Sequence, residues 1–315
     1  MPFLWITVGA AALLAAAALI ISLICFRITF YVPPRRPIPP LVPEGETYRP
    51  FREKIERWAA ETAKMPHKEY YITTFDGLRL YGRFYEYKAG APIELMFHGY
   101  RGTAERDLSG GVQRCFKLGR SAFIVDQRCS GNSEGKVITF GIKEYKDCLC
   151  WIDFLRKEFG PEVKIILTGI SMGAATVLMA GSQPLPPNVI GILADCGYDS
   201  AKNIIHKVIR GMGLPVGISY FFVRLGARIY GGFDPEETSP RQELKKCTLP
   251  VIFFHGESDD FVPAEMSRIN FDVCPSRKKL VIVPDADHGL SYPKDPEKYL
   301  AALRDFFGPD GSFDE

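Results

Sequence analysis

A serine hydroxyl becomes a nucleophile only when a base takes its proton and a third group fixes the tautomer and orientation of that base. Residues 169–173 read Gly-Ile-Ser-Met-Gly, directly after the β-branched run Val163-Lys164-Ile165-Ile166-Leu167-Thr168. A buried strand that turns sharply into a helix strains the turn residue, and small neighbours on both sides let the turn close. Gly169 and Gly173 supply that room around Ser171, and the Met172 amide at the helix start is placed to meet an oxyanion. Of the five histidines, His98 and His255 each precede a glycine at the end of an apolar run, His67 adjoins Pro66, and His206 falls in a helical pattern. His288 remains, in a Pro-Asp-Ala-Asp-His-Gly loop after the strand-like Leu280-Val281-Ile282-Val283, where it can project from a sheet edge as the base. The strand Val251-Ile252-Phe253-Phe254 runs into His255-Gly256-Glu257-Ser258-Asp259-Asp260, which makes Asp259 the acid of choice. Asp260 and Asp199, the latter after the preceding strand, are its alternatives. Asp285 and Asp287 lie too near His288 along the chain and read as turn-capping groups.

Taken alone, a Gly-x-Ser-x-Gly match is also what a plain tight turn would give, so its companions decide. They are Phe97-His98-Gly99-Tyr100-Arg101-Gly102, Asp126-Gln127-Arg128-Cys129-Ser130-Gly131-Asn132-Ser133, His255 to Pro263, and Asp287-His288-Gly289. With these motifs the chain resembles the α/β-hydrolases, near their serine aminopeptidase and lysophospholipase-like, esterase-like branch, over roughly residues 68–308. The resemblance implies a triad in the chain order Ser171, Asp259, His288. The acid of its His-Gly-x-x-Asp pattern falls on Asp259, and it assigns the second oxyanion donor to the Tyr100 amide. It implies no cofactor and no metal. The chain departs from the family at Ser130, where a histidine is common, and at Cys129, where a small residue is common. That departure leaves the triad untouched but removes any inference about substrate contacts from this loop. Cys129 itself reads as a small buried cysteine.

These residues need a scaffold, and the hydrophobic pattern supplies one. With 315 residues, 46% of them hydrophobic, there is material for one large core. A hairpin is expected from Glu69 to Glu86, turned at Asp76-Gly77. Strands follow near 93–97, 121–126, 163–168, 189–194, 250–254 and 279–283, with helices between them. Lys143, Asp147 and Asp153 alternate with Tyr145, Leu149, Ile152 and Leu155 as a sheet-covering helix would. The fold class is therefore α/β, a mostly parallel sheet covered on both faces. An insertion over 197–247, with two apolar segments split at Gly211 to Pro215, reads as a helical lid that could roof the site and line an acyl pocket.

Phe3 to Phe26 carries no charge, long enough to cross a bilayer, so residues 1–26 are expected to be a transmembrane anchor. A cleaved signal peptide would carry a basic residue before the run and a small-residue cleavage site after it, and neither is present. Arg27, Arg35 and Arg36 follow the helix with no basic side chain before it, which places the catalytic domain on the cytoplasmic side. The eight cysteines lack the spacing of a disulfide framework, in keeping with a reducing compartment, and Cys148-Leu149-Cys150 lacks a second ligand cluster for a metal. Residues 27–50 read as a proline-rich spacer, with seven prolines between Val32 and Pro50, holding the domain, 51–315, off the membrane. Phe51 to Met65 is expected to be a helix packed on that domain.

The net charge of +2 with mixed signs, and the absence of a phosphate-binding glycine loop, give no reason to expect a nucleic-acid partner. The reading is a membrane-anchored serine hydrolase that cleaves an acyl or lipid-like carboxylic ester through an acyl-enzyme. A serine aminopeptidase or thioesterase is the alternative chemistry, and an anchored, non-catalytic binding module is the alternative class.

Overall fold

The computed structural model describes residues 2–33 and 40–308. Its centre is an eight-stranded sheet: β1 (Lys68–Thr73), β2 (Arg79–Tyr85), β3 (Ile93–Phe97), β4 (Ser121–Val125), β5 (Ile165–Ile170), β6 (Val189–Asp195), β7 (Val251–Gly256) and β8 (Lys278–Val283). The spatial order is β1-β2-β4-β3-β5-β6-β7-β8. The β1–β2 hairpin and the β2–β4 pair are antiparallel, and every other pairing is parallel. Strands of such a sheet are buried on both faces and read as unbroken apolar runs, as β4 does in Ser121-Ala122-Phe123-Ile124-Val125.

Nine helical segments bear on the argument. Seven are α1 (Pro2–Thr29), α2 (Arg52–Ala63), α3 (Ala104–Lys117), α4 (Glu144–Phe159), α5 (Met172–Ala180), α6 (Ala201–Gly211) and α7 (Val216–Gly226); the others are Ala264–Val273 and Pro296–Phe307. Alternate strand residues feed two cores. Ile165, Leu167 and Phe253 pack against Trp151, Leu155 and Val177 of α4 and α5. Ile166, Ile252 and Phe254 face the other way, onto Leu300, Leu303 and Phe307.

The expected strands and hairpin form, with β5 shifted to end at Ile170, so that its last residue abuts Ser171. In α4 one expectation fails: Asp147, assigned to a polar face, is buried. Its carboxylate takes two hydrogen bonds from the Arg128 guanidinium, at 2.7 and 2.6 Å, so pairing rather than exposure satisfies it. α2 packs on α3 as expected, with Trp58 over Gly110 and the Thr62 hydroxyl on the Ser109 carbonyl.

The N-terminal expectation needs a larger correction. α1 does not end at residue 26 before a spacer. It runs to Thr29, and Ser22, Phe26 and Phe30 are buried against the domain. Phe30 meets Phe140 and Phe233 edge-on, at ring distances of 5.6 and 5.1 Å. Tyr31 bridges to Val137 as a short antiparallel contact. The aromatic residues at the helix end match a pocket on the domain, and burying them there is favourable. Residues 40–50 then lie across the domain, with Val42 buried, rather than standing away from it. Arg35 and Arg36 lie outside the described residues.

Candidate active site

β5 leads into a turn at Ser171 with φ 56° and ψ −117°, a conformation side-chain-bearing residues rarely adopt. What holds it is close backbone packing on both flanks. A Cβ at Gly169 would lie 2.1 Å from the Gly173 carbonyl oxygen, and one at Gly173 would lie 2.0 Å from that of Phe97. The Ser171 amide donates to the Asp195 carbonyl at 2.8 Å, tying the turn to the end of β6. Met172 opens α5, where amides have no acceptor within the helix.

The structure brings the three expected side chains into one chain of hydrogen bonds. His288 Nε2 is 3.0 Å from Ser171 Oγ, and His288 Nδ1 is 2.7 Å from Asp259 Oδ2. Asp259 is buried, and its Oδ1 accepts from the Phe261 and Val262 amides at 3.0 and 2.7 Å. Burial alone would raise its pKa, but hydrogen bonds from His255 and His288, the His288 charge and the Val262 amide hold it down at about 2. A carboxylate kept ionised beside Nδ1 fixes the imidazole with its basic Nε2 toward the serine.

The alternatives fall elsewhere. Asp260 is exposed. Asp199 accepts from the Asn203 side chain at 2.6 Å. The carboxylate at the end of β6 is Asp195, bound to the Ser291 hydroxyl at 2.9 Å and the Tyr299 hydroxyl at 3.0 Å. Asp287 takes the His288 amide, as a turn cap would.

His98 is not a second base: its Nε2 accepts the Gln127 amide at 3.0 Å and its Nδ1 meets the Gly99 carbonyl at 2.8 Å. Burial lowers its pKa. This ring staples the Gly99-Tyr100 loop to the Asp126 loop, and the Gly99 amide is held by Asp107 Oδ2 at 3.0 Å. Tyr100 sits in this loop, and its hydroxyl donates to the Thr29 carbonyl at the end of α1, at 2.7 Å. Nothing in the sequence pattern pointed to that link, or to His255, whose ring spans Ser267 Oγ and the Val262 carbonyl below Asp259.

Cys196, Asp259 and His288 offer three atoms within 4.8 Å of one another, the spacing of a metal-ligand set. Burial pushes the Cys196 thiol well up, and both His288 nitrogens are already engaged, so the donors do not suit a cation. Cys129 is likewise a buried thiol, pushed up to about 12 chiefly by burial.

Ser171 and His288 open on a cavity of about 650 Å³. Its far walls are Tyr48, Ile55 and Trp58 from the N-terminal segment, with Met96 and Leu193 from the sheet. The Tyr48 hydroxyl donates to the His288 carbonyl at 2.9 Å, and Trp58 stacks on Tyr292 at 5.0 Å. Here the lid expectation is corrected. The insertion does form two helices split at the expected loop, yet no residue of 197–247 is among those lining this cavity. Residues 41–58 cover it instead, because α2 is anchored on α3 beside the site, while α6 and α7 bury Ile204, Ile205 and Val223 with Phe26 and Phe30.

No protein-family model matches the chain. Protein YqkD of Bacillus subtilis is 27% identical over 194 residues, 60% of this chain and 62% of its own length. Membrane protein YNL320W of Saccharomyces cerevisiae is 27% identical over 194 residues, 60% of this chain and 61% of that protein. The match thus spans less than two thirds of these two curated relatives. The Pyrococcus furiosus esterase Pf2001 superimposes with a TM-score of 0.63 at 21% identity, covering 88% of this chain and 99% of that one. In strand order, crossovers and this likeness, the chain has the α/β-hydrolase fold.

Proposed function

We propose that the protein is a membrane-anchored serine hydrolase of carboxylic esters. The observation that carries this reading is the hydrogen-bonded run from Asp259 through His288 to Ser171 at the mouth of a cavity large enough for an acyl group. Ser171 Oγ attacks the ester carbonyl as His288 Nε2 takes its proton, and the amides of Tyr100 and Met172 meet the oxyanion. His288 returns the proton to the leaving alcohol, and the acyl group stays on Ser171. Water, deprotonated by His288, then adds to the acyl-enzyme and the acid departs. Asp259 keeps the imidazole in the tautomer that this sequence requires.

An ester is favoured by the apolar wall of Ile55, Trp58, Met96 and Leu193, and by the esterase Pf2001 sharing the fold. Membrane anchoring is supported by α1, with its apolar stretch Trp5–Thr29, and by the relative described as a membrane protein. Arg27 in the last turn of α1, and free cysteines throughout, support a cytoplasmic catalytic domain. The test is turnover of p-nitrophenyl esters of graded acyl length beside aminoacyl anilides and acyl thioesters. Oxygen-ester turnover that vanishes in Ser171→Ala is expected; preferential cleavage of anilides or thioesters would overturn the ester assignment.

A further inference from the structure

The insertion that does not roof the site exposes an unusual surface. Met212, Leu214, Ile218 and Phe221 are 61%, 50%, 65% and 59% exposed, at the tip between α6 and α7 and along α7. From Ala201 to Gly231 the chain carries Lys202, Lys207, Arg210, Arg224 and Arg228, and no acidic residue. Lys202, Arg224 and Arg228 are paired with Asp234 or Glu236. Lys207 and Arg210 take part in no ion pair among the described residues.

α1 packs directly on this element. A Cβ at Gly226 of α7 would lie 2.3 Å from the Ser22 carbonyl oxygen, and the Tyr230 hydroxyl donates to the Leu19 carbonyl at 3.1 Å. A membrane core of ~30 Å needs ~20 helical residues at ~1.5 Å each. Within the uncharged run Phe3–Phe26, twenty residues from Phe3 reach Ser22, already level with Gly226. If α1 spans the core, the bilayer boundary therefore falls at α7.

We propose that the α6–α7 tip is a second membrane element, lying in the boundary between headgroups and acyl chains beside α1. Met212, Leu214, Ile218 and Phe221 enter the acyl layer, and Lys207 and Arg210 meet anionic headgroups. The partner is an anionic lipid surface: apolar side chains with unpaired basic neighbours on one short helix pair are what such a surface binds. Together they fix where the domain sits, so that Tyr100, tied to the end of α1, stays at a set depth. The inference rests on reading α1 as a span.

The test uses the full chain in nanodiscs of phosphatidylcholine, with and without phosphatidylserine. An environment-sensitive fluorophore is placed on Phe221→Cys, on Leu13→Cys in α1, and on Tyr87→Cys as a water-facing control, with signal from the native cysteines subtracted. Quenching by lipids spin-labelled near the headgroup is expected to be at least twofold greater at position 221 than at 87. The added charges of Lys207→Glu with Arg210→Glu should halve it in discs with phosphatidylserine. Quenching at 13 by lipids spin-labelled at the acyl-chain end, without headgroup-label quenching at 221, would overturn the inference while leaving α1 a span. No quenching at 13 by the acyl-chain-end label would remove the span and the inference together. Equal quenching at 221 in the charge-reversed protein would overturn the role of the basic residues.

Discussion

Replacing Asp259 with asparagine tests the catalytic role proposed for this carboxylate against its neighbours. Its Oδ1 is committed to the Phe261 and Val262 amides, so the asparagine oxygen takes that place and the NH₂ faces His288 Nδ1. Nδ1 must then accept, the ring proton moves to Nε2, and His288 presents a donor to Ser171 Oγ at 3.0 Å. A base in the wrong tautomer costs a serine triad about 10⁴ in kcat, or about 5.5 kcal/mol in the barrier. Stability falls too. Holding this carboxyl at about 2 instead of 3.8 is worth roughly 2 kcal/mol at neutral pH. Because the folded pKa is the lower one, that stability is present above about pH 4 and is lost as the pH falls toward 2. The assay is kcat for p-nitrophenyl acetate together with thermal unfolding in detergent, on Asp259→Asn, Asp260→Asn and Asp199→Asn. Exposed Asp260 and Asp199, which is bonded to Asn203, should each cost less than about tenfold in kcat. A loss below tenfold for Asp259→Asn, or an equal loss for either neighbour, would refute the assignment.

Further outcomes are expected. Gly173→Ala forces a Cβ to 2.0 Å from the Phe97 carbonyl and should destabilise by about 3 kcal/mol or more, whereas Gly211→Ala, with nothing within 4 Å, should be near neutral in thermal unfolding. Removing residues 2–17 should leave ester turnover in detergent intact, since α1 first bonds the domain at Leu19 and is buried at Ser22, while Phe30→Ala should cost about 3–5 kcal/mol. Unchanged stability of Phe30→Ala would contradict the docked helix end. Cys129, its thiol at about 12, should resist alkylation at pH 8 in the folded protein and react after unfolding; rapid labelling of the native protein would show an accessible thiolate.

Much of the scaffold was legible because its central strands are largely apolar runs and its turns carry glycine where no Cβ fits, as at Gly169 and Gly173. The side chains that meet at Ser171 were legible for a related reason: each stands just beyond a strand of one parallel sheet, so chain order carries spatial order. What escaped was set by packing between distant segments. Phe26 and Phe30 look like the end of a membrane run, and only a pocket lined by Phe140 and Phe233 reveals them as docked. Asp147 looks like a surface residue until Arg128, 19 positions away, is seen to pair with it. The lid was expected from the insertion's apolar content, yet its buried part packs with the end of α1 and its tip is exposed, and Trp58 of a segment read as a helix packed on the domain lines the cavity.

Mapping the site of a fluorophosphonate adduct by peptide mass spectrometry bears most directly on the nucleophile. The probe should modify Ser171 alone, and both Ser171→Ala and His288→Ala should lose labelling and ester turnover together. An adduct on another residue, or a Ser171→Ala protein that still turns over p-nitrophenyl acetate at the original rate, would contradict the mechanism.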